Sequence, residues 1–153
     1  MPIERGIKLT EKMFTWIFYA LGAALLYGLH QIFTKLAADR MSDGLGGLVV
    51  EGSATLTILA YLLLLRFSGK WTQMATASGV CYSVATGICV GIGTVFFFLL
   101  FQKGGTLSVV PAILAVGMAF MAVAGFVFFK EPVSVARLLG VILAIAGMVL
   151  LRS

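Results

Sequence analysis

Long uncharged, apolar runs constrain this chain more than any other feature of its sequence. No charged residue occurs in residues 13–34, 71–102 or 104–129. At about 1.5 Å of helical rise per residue, each run is long enough to cross the hydrocarbon core of a bilayer. Of the 153 residues, 61% are hydrophobic and 11% charged, more apolar surface than a soluble domain of this size can bury. The sequence therefore predicts an all-α, polytopic transmembrane helix bundle with lipid as its solvent.

Charged and turn-forming segments divide the chain into five predicted helices in a single transmembrane domain, residues 1–153. The polar connection 37–47 holds Asp, Ser and Gly residues, which favour a turn and a helix start. The fifth helix is the shortest, because 14 residues separate Arg137 from Arg152, although counting from Val133 gives 19. After a short cytoplasmic tail over residues 1–12, the predicted helices cover about 14–36, 45–65, 76–101, 106–129 and 133–151.

Lys and Arg residues are distributed unequally between the two ends of the predicted spans. With five spans, seven lie on the side of the N-terminus and four on the other side. The positive-inside rule therefore predicts a multi-pass protein of the cell inner (plasma) membrane, with the N-terminus cytoplasmic and the C-terminus outside. The difference is small enough to allow insertion in both orientations. No basic face is formed, so no nucleic-acid partner is predicted.

The second half of the first helix carries a polar stripe. Tyr27, His30, Gln31, Thr34 and Lys35 share one helix face by their spacing. A helix that lines a wet cavity needs such a stripe, and this interpretation makes the first four of these residues candidate substrate ligands. The alternative is structural, because polar side chains also bond to neighbouring helices in membrane bundles. Near the helix end, Thr34 can bond to its own backbone and Lys35 can extend to the headgroups.

Glu51 is the acidic residue that the sequence places inside a span, about 8 Å deep in the second helix. A charge held at the centre of a span costs about 2.5–3.5 kcal/mol on insertion scales, so a partner or a proton is expected for this carboxylate. We predict that Glu51 carries a coupling proton or holds a cationic group; the alternative is an interfacial residue at the helix mouth. Further polar candidates for substrate binding are Tyr82, Thr86 and Gln102.

Two features concern helix packing. Gly79, Ser83, Gly87 and Gly91 lie four apart in the third helix, and such a ladder of small residues lets another backbone approach closely. Pro111 is predicted inside the fourth helix, where it would kink the helix and free a backbone carbonyl. A kink of this kind either lines a cavity or serves packing alone.

Three stretches together resemble a single repeat of the drug/metabolite transporter superfamily, the EamA-type fold. The first is an aromatic-Gly pair with a later Lys, in YGLHQIFTKLA. The second is GTLSVVPAILAV, residues 105–116, with its embedded Pro. The third is an acidic-Pro corner followed by a Gly-spaced helix, FFKEPVSVARLLGVILAIAGMVLL, residues 128–151. The likeness covers nearly the whole chain.

The resemblance implies transport of a small metabolite, often export, by a half-size member. Common members carry two five-helix repeats in opposite orientations, with the substrate between them. A lone repeat would need a second subunit, which predicts a homodimer, antiparallel or parallel, or a separately encoded partner half, working by alternating access. The small multidrug members use a Glu in their first helix for proton exchange. Here that helix has no acid between Lys12 and Lys35.

Other classes of function have less support in the sequence. No Ser/His/Asp set, HExxH motif or acidic metal cluster occurs, and His30 is the one histidine, so neither an enzyme, a metal site nor a cofactor is predicted. Two alternatives stay open: a non-transporting membrane subunit of a larger complex, and a component of a lipid-linked sugar flippase. The expected partners are membrane lipid, a small-molecule substrate and a second subunit.

Overall fold

The computed structural model describes residues 2–132 and 134–150, and every element in this part of the chain is helical. This confirms the all-α fold. Four of the described helices are long and apolar enough to cross a membrane, over Thr15–Ala38, Asp43–Phe67, Ala77–Gln102 and Leu107–Val127. The elements in chain order are α1 (Pro2–Ala38), α2 (Asp43–Phe67), α3 (Ala77–Gln102), a 3-10 turn (Leu107–Val109), α4 (Val110–Val127) and α5 (Val135–Leu150).

The helix bounds differ from the prediction mainly at the two ends of the chain. α1 begins at Pro2, not near residue 14, so the backbone of the predicted tail is helical over its described residues. α5 has 16 residues, or about 24 Å of helix, less than the thickness of a hydrocarbon core. Residues 133 and 151, the predicted limits of the fifth helix, lie outside the described residues.

Local sequence explains where the inner helices begin and end. Ser42 has extended backbone angles before α2, and Asp43 places an acid in its first turn, where it interacts favourably with the helix dipole. Thr76 caps α3, since its side chain accepts a hydrogen bond from the Gly79 amide over 3.1 Å. After α3, Gly104 has a φ of 91°, which other residues rarely adopt.

The chain divides into two compact units, Met1–Lys103 (unit 1) and Gly104–Ser153 (unit 2). Unit 1 holds α1, α2 and α3. In unit 2, α4 packs on α5. The C-terminal end of α4 is closed by backbone bonds from Phe128 to Ala124 and from Glu131 to Gly125. Lys130 lies between them in the left-handed region, with a φ of 51°.

Pro111 lies in the first turn of α4 and not in the helix interior, where the sequence-based prediction of a kink placed it. The segment before it forms the short 3-10 turn, and α4 begins at Val110, so Pro111 occupies the first turn of the helix. A first-turn amide has no partner within its own helix. Proline is tolerated there because it removes no backbone hydrogen bond, so it starts α4 instead of bending it.

Candidate substrate site in the first three helices

The described buried side chains of unit 1 lie at one end, where α1 ends, α2 begins and α3 ends; we call this the packed end. There, Gln102 Nε2 donates to Met41 O over 2.9 Å and joins the end of α3 to the turn between α1 and α2. Away from it, residues 15–29, 52–67 and 77–90 include no buried side chain. The buried residues of unit 1 are Gln31, Thr34, Ala38, Gly46, Gly47, Thr94, Phe98 and Phe101.

At the packed end, α2 and α3 approach each other closely where Gly46 meets Phe98. A Cβ atom added to Gly46 would overlap the ring of Phe98, a side chain with no exposed surface. A Cβ added to the neighbouring Gly47 would lie 3.4 Å from Val95 Cγ2, an ordinary contact. The absence of a side chain at Gly46 therefore lets α2 meet the aromatic face of α3.

One face of α1 is also buried at the packed end. Gln31, Thr34 and Ala38 lie at i, i+3 and i+7 and are all buried. Next to them, Lys35 Nζ lies 5.4 Å from the centroid of the Phe101 ring and 3.5 Å from Asp39 Oδ1. The ammonium group is thus engaged at the helix end, and Phe101 connects α1 to α3.

Glu51 has a partner on the neighbouring helix. The Thr94 hydroxyl donates a hydrogen bond to Glu51 Oε1 over 2.5 Å, a short distance typical of bonds to a charged acceptor. Thr94 is buried and Glu51 half-buried. The contact joins α2 to α3 about 12 Å from the first residue of α2 and from the last residue of α3, because Glu51 and Thr94 are each eight positions from that helix terminus. The sequence analysis expected a partner for the Glu51 carboxylate, and the partner in the structure is a hydroxyl group and not a second charge.

Two polar atoms of α1 are buried near the same level without a hydrogen-bond partner among the described residues. They are His30 Nδ1 and Gln31 Oε1. These residues are eight and seven positions from the end of α1, or about 10–12 Å from the packed end. We call His30, Gln31, Glu51 and Thr94 the polar layer. A buried polar atom without a hydrogen-bond partner costs about 1–3 kcal/mol, so each of these atoms favours a ligand that supplies the missing partner.

The comparison with known families agrees with this architecture. Residues 14–153 match the EamA-like transporter family. The chain belongs to that family. A curated relative, an uncharacterized protein of Methanocaldococcus jannaschii, is 26% identical over 139 residues, which cover 91% of this chain and 97% of the relative. No solved structure matches the chain.

The structure distributes the other predicted site residues of this EamA-like protein over different environments. Thr34 is buried, but its hydroxyl donates to His30 O within α1 over 2.8 Å, as the structural alternative proposed. Tyr27 is exposed and its ring lies edge-on to His30, with centroids 6.4 Å apart. Tyr82 and Thr86 are also exposed, and the Thr86 hydroxyl donates to Tyr82 O within α3.

Sequence reasoning missed Thr94, a partner of Glu51. A signal was present: Thr94 is the one hydroxyl in residues 92–101, a segment otherwise made of glycine and large apolar residues. An isolated polar group in such a run faces protein or cavity more often than lipid. In this EamA-like protein the same segment also supplies Phe98 and Phe101, which no polar pattern could identify.

Proposed function

We propose that this EamA-like protein is a secondary transporter or facilitator of a small metabolite, working by alternating access as a dimer. The observation that carries the proposal is the hydrogen bond between Glu51 and Thr94 inside two apolar spans. Apart from Asp43 and Arg66 in the end turns of α2, Glu51 is the one charged residue of these two spans. A carboxylate kept in a membrane span at a cost of a few kcal/mol is typical of an ion or substrate pathway.

The distribution of packing in unit 1 supports access from one side at a time. The packed end is closed by Phe98 and Phe101, which have almost no exposed surface. On the other side of the polar layer, residues 15–29, 52–67 and 77–90 bury no side chain. The polar layer thus lies at the boundary between a closed and a loosely packed half, where alternating access places a substrate site.

The length of a curated relative supports a second subunit. The match with this chain covers 97% of the relative from Methanocaldococcus jannaschii, so that protein carries one repeat and not a fused pair. On α3, a Cβ added to Gly87 or Gly91 would meet no other atom within 4 Å, which leaves the ladder of small residues open. A second copy, antiparallel or parallel, fits this face.

Transport by purified protein in vesicles tests the proposal. Glu51→Gln keeps the shape of the side chain and the hydrogen bond from Thr94 but removes the charge. It should abolish uptake driven by a pH gradient while the protein stays folded. Asp39→Asn is the matched control, since it removes one acid at the same end of unit 1 outside the spans and breaks only a surface ion pair. Equal uptake by wild type and Glu51→Gln would remove Glu51 from the mechanism.

Purification separates transport from a scaffolding role. A dimer of this chain alone, with a melting temperature that changes on adding a small solute, is expected. Obligate copurification with an unrelated membrane protein, and no solute response, would instead favour a subunit of a larger complex.

A further inference from the structure

We infer that the polar layer binds the ammonium group of a small primary amine. The inference rests on the proposed transport function and names its substrate class. It depends on three properties of the layer: a negative charge without a basic partner, buried hydrogen-bond acceptors without a donor, and the absence of Lys and Arg from the surrounding helix segments 15–34, 44–65 and 77–102.

The charge of Glu51 is not balanced by a basic side chain. Among the described residues, no Lys, Arg or His lies within ion-pair distance of its carboxylate. Lys35, the basic residue in the last turn of α1, is engaged with Asp39 and with the Phe101 ring. A carboxylate in a span with a hydroxyl as its partner still favours a cation, because the hydroxyl leaves the net charge unchanged.

The unsatisfied atoms of the layer are acceptors. Thr94 already uses its proton in the bond to Glu51. Gln31 Oε1 is a carbonyl oxygen, and Gln31 as a whole is 8% exposed. His30 Nδ1 accepts when the ring carries its proton on Nε2. An ammonium group supplies three N–H donors and a positive charge, which matches a carboxylate, an amide oxygen and an imidazole nitrogen.

The residues around the polar layer determine the direction and the polarity of the rest of the ligand. Phe98 and Phe101 close the side of the packed end, so the body of the amine extends toward the loosely packed half. That half is apolar over residues 52–65 and 77–90, apart from scattered hydroxyl and thiol groups. No Lys or Arg occurs in residues 15–34, 44–65 or 77–102 to receive a carboxylate beside the layer, so an amine with an apolar body should bind better than the corresponding amino acid.

Thermal unfolding of the full-length protein in detergent, with three probes that share one carbon chain, tests the inference. Butylammonium offers N–H donors, butyltrimethylammonium offers charge without donors, and norvaline adds a carboxylate to the amine. Butylammonium should raise the melting temperature and bind at least about tenfold more tightly than either of the others, because bonds to a charged group are among the stronger ones.

Variants of the protein test whether butylammonium binds at the polar layer. Glu51→Gln should lose the butylammonium response, and Gln31→Leu should weaken it about tenfold, while Asp39→Asn should respond as wild type does. Melting temperatures measured without ligand show whether each variant is folded. Uptake of radiolabelled butylammonium into vesicles should follow the same order and so provides a second readout if Gln31→Leu proves unstable in detergent.

The outcomes separate this inference from the transport proposal. Equal binding of butylammonium and butyltrimethylammonium, or of butylammonium and norvaline, would overturn it. So would a Glu51-dependent response to pH without any response to amines, which would assign the layer to a proton alone. If a metabolite screen finds a neutral or anionic solute that binds and crosses while amines do not, the inference fails and transport stands. If no solute binds or crosses, both fail.

Discussion

The ring of Phe98 occupies the space in which a Cβ atom of Gly46 would lie. This contact sets how closely α2 and α3 approach at the packed end. Because Phe98 is fully buried, its ring has no open space into which it can move without disturbing its neighbours. The close approach therefore requires glycine at position 46.

Gly46→Ala should destabilise the protein by about 1–3 kcal/mol, the usual cost of inserting a methyl group into a well-packed contact. Thermal or denaturant unfolding in detergent measures the effect. Gly52→Ala is the matched control, since Gly52 lies in the same helix and an added Cβ there would meet no atom within 4 Å. Its stability should be unchanged or slightly higher, because alanine favours the helix. Equal effects of the two changes would contradict the packing described for Gly46.

Thr94→Val keeps the shape of the side chain and removes the hydroxyl that donates to Glu51. It should lower the rate of coupled uptake at least about tenfold, since a hydrogen bond to a charged group is lost. Thr94→Ser should retain most of the activity. Thr86→Val tests the same change on the same helix, where the hydroxyl donates only to Tyr82 O, and should behave as wild type. A loss of uptake in Thr86→Val as large as in Thr94→Val would show that the Glu51 contact is not the cause.

Gln102→Leu separates two roles for this side chain. Its amide donates to Met41 O and so ties the end of α3 to the turn between α1 and α2. Loss of this bond should lower the free energy of unfolding by about 0.5–1.5 kcal/mol and leave the KM for transport unchanged. Gln73→Leu, in the exposed segment before α3, serves as control. A raised KM with unchanged stability would instead support the sequence-based prediction that Gln102 binds substrate.

Gly87→Leu should lower the affinity of the proposed dimer at least about tenfold, because the larger side chain keeps a second backbone away from the ladder of small residues. The fraction of dimer in detergent, followed by dilution and cross-linking, measures this. Gly52→Leu also introduces leucine at a glycine that has open space around it, but on α2. Dimers that weaken equally in both variants, or in neither, would argue against α3 as the interface.

The general architecture could be predicted because bilayer thickness leaves few choices for an apolar run. The uncharged residues 71–102 had to form one long helix, and α3 covers Ala77–Gln102. The ends were less predictable. Nothing in the apolar pattern marks a helix start at Pro2, and the type of turn before Pro111 depends on local backbone geometry that periodicity does not report.

The candidate site could be predicted only in part, because spacing identifies a face of one helix but not what lies opposite. The polar stripe on α1 grouped His30 with Gln31, and each has a buried polar atom without a partner among the described residues. It also included Tyr27, which is exposed in unit 1. Thr94 is 43 residues from Glu51 along the chain, and their contact depends on how α2 and α3 are aligned. The sequence pattern of α2 or of α3 alone does not predict how the two helices are aligned.

The two contacts between α2 and α3 have a mechanical consequence. Gly46 and Glu51 are five residues apart on one helix, and their partners Phe98 and Thr94 are four apart on the other, so the contacts are separated by about 6–8 Å. Two contacts restrict the tilting and sliding of α2 against α3 more than a single contact does. A separation of the two helices at the packed end should therefore also weaken the hydrogen bond between Thr94 and Glu51. In the proposed transport cycle, a ligand that neutralises Glu51 should in turn change how readily the packed end opens.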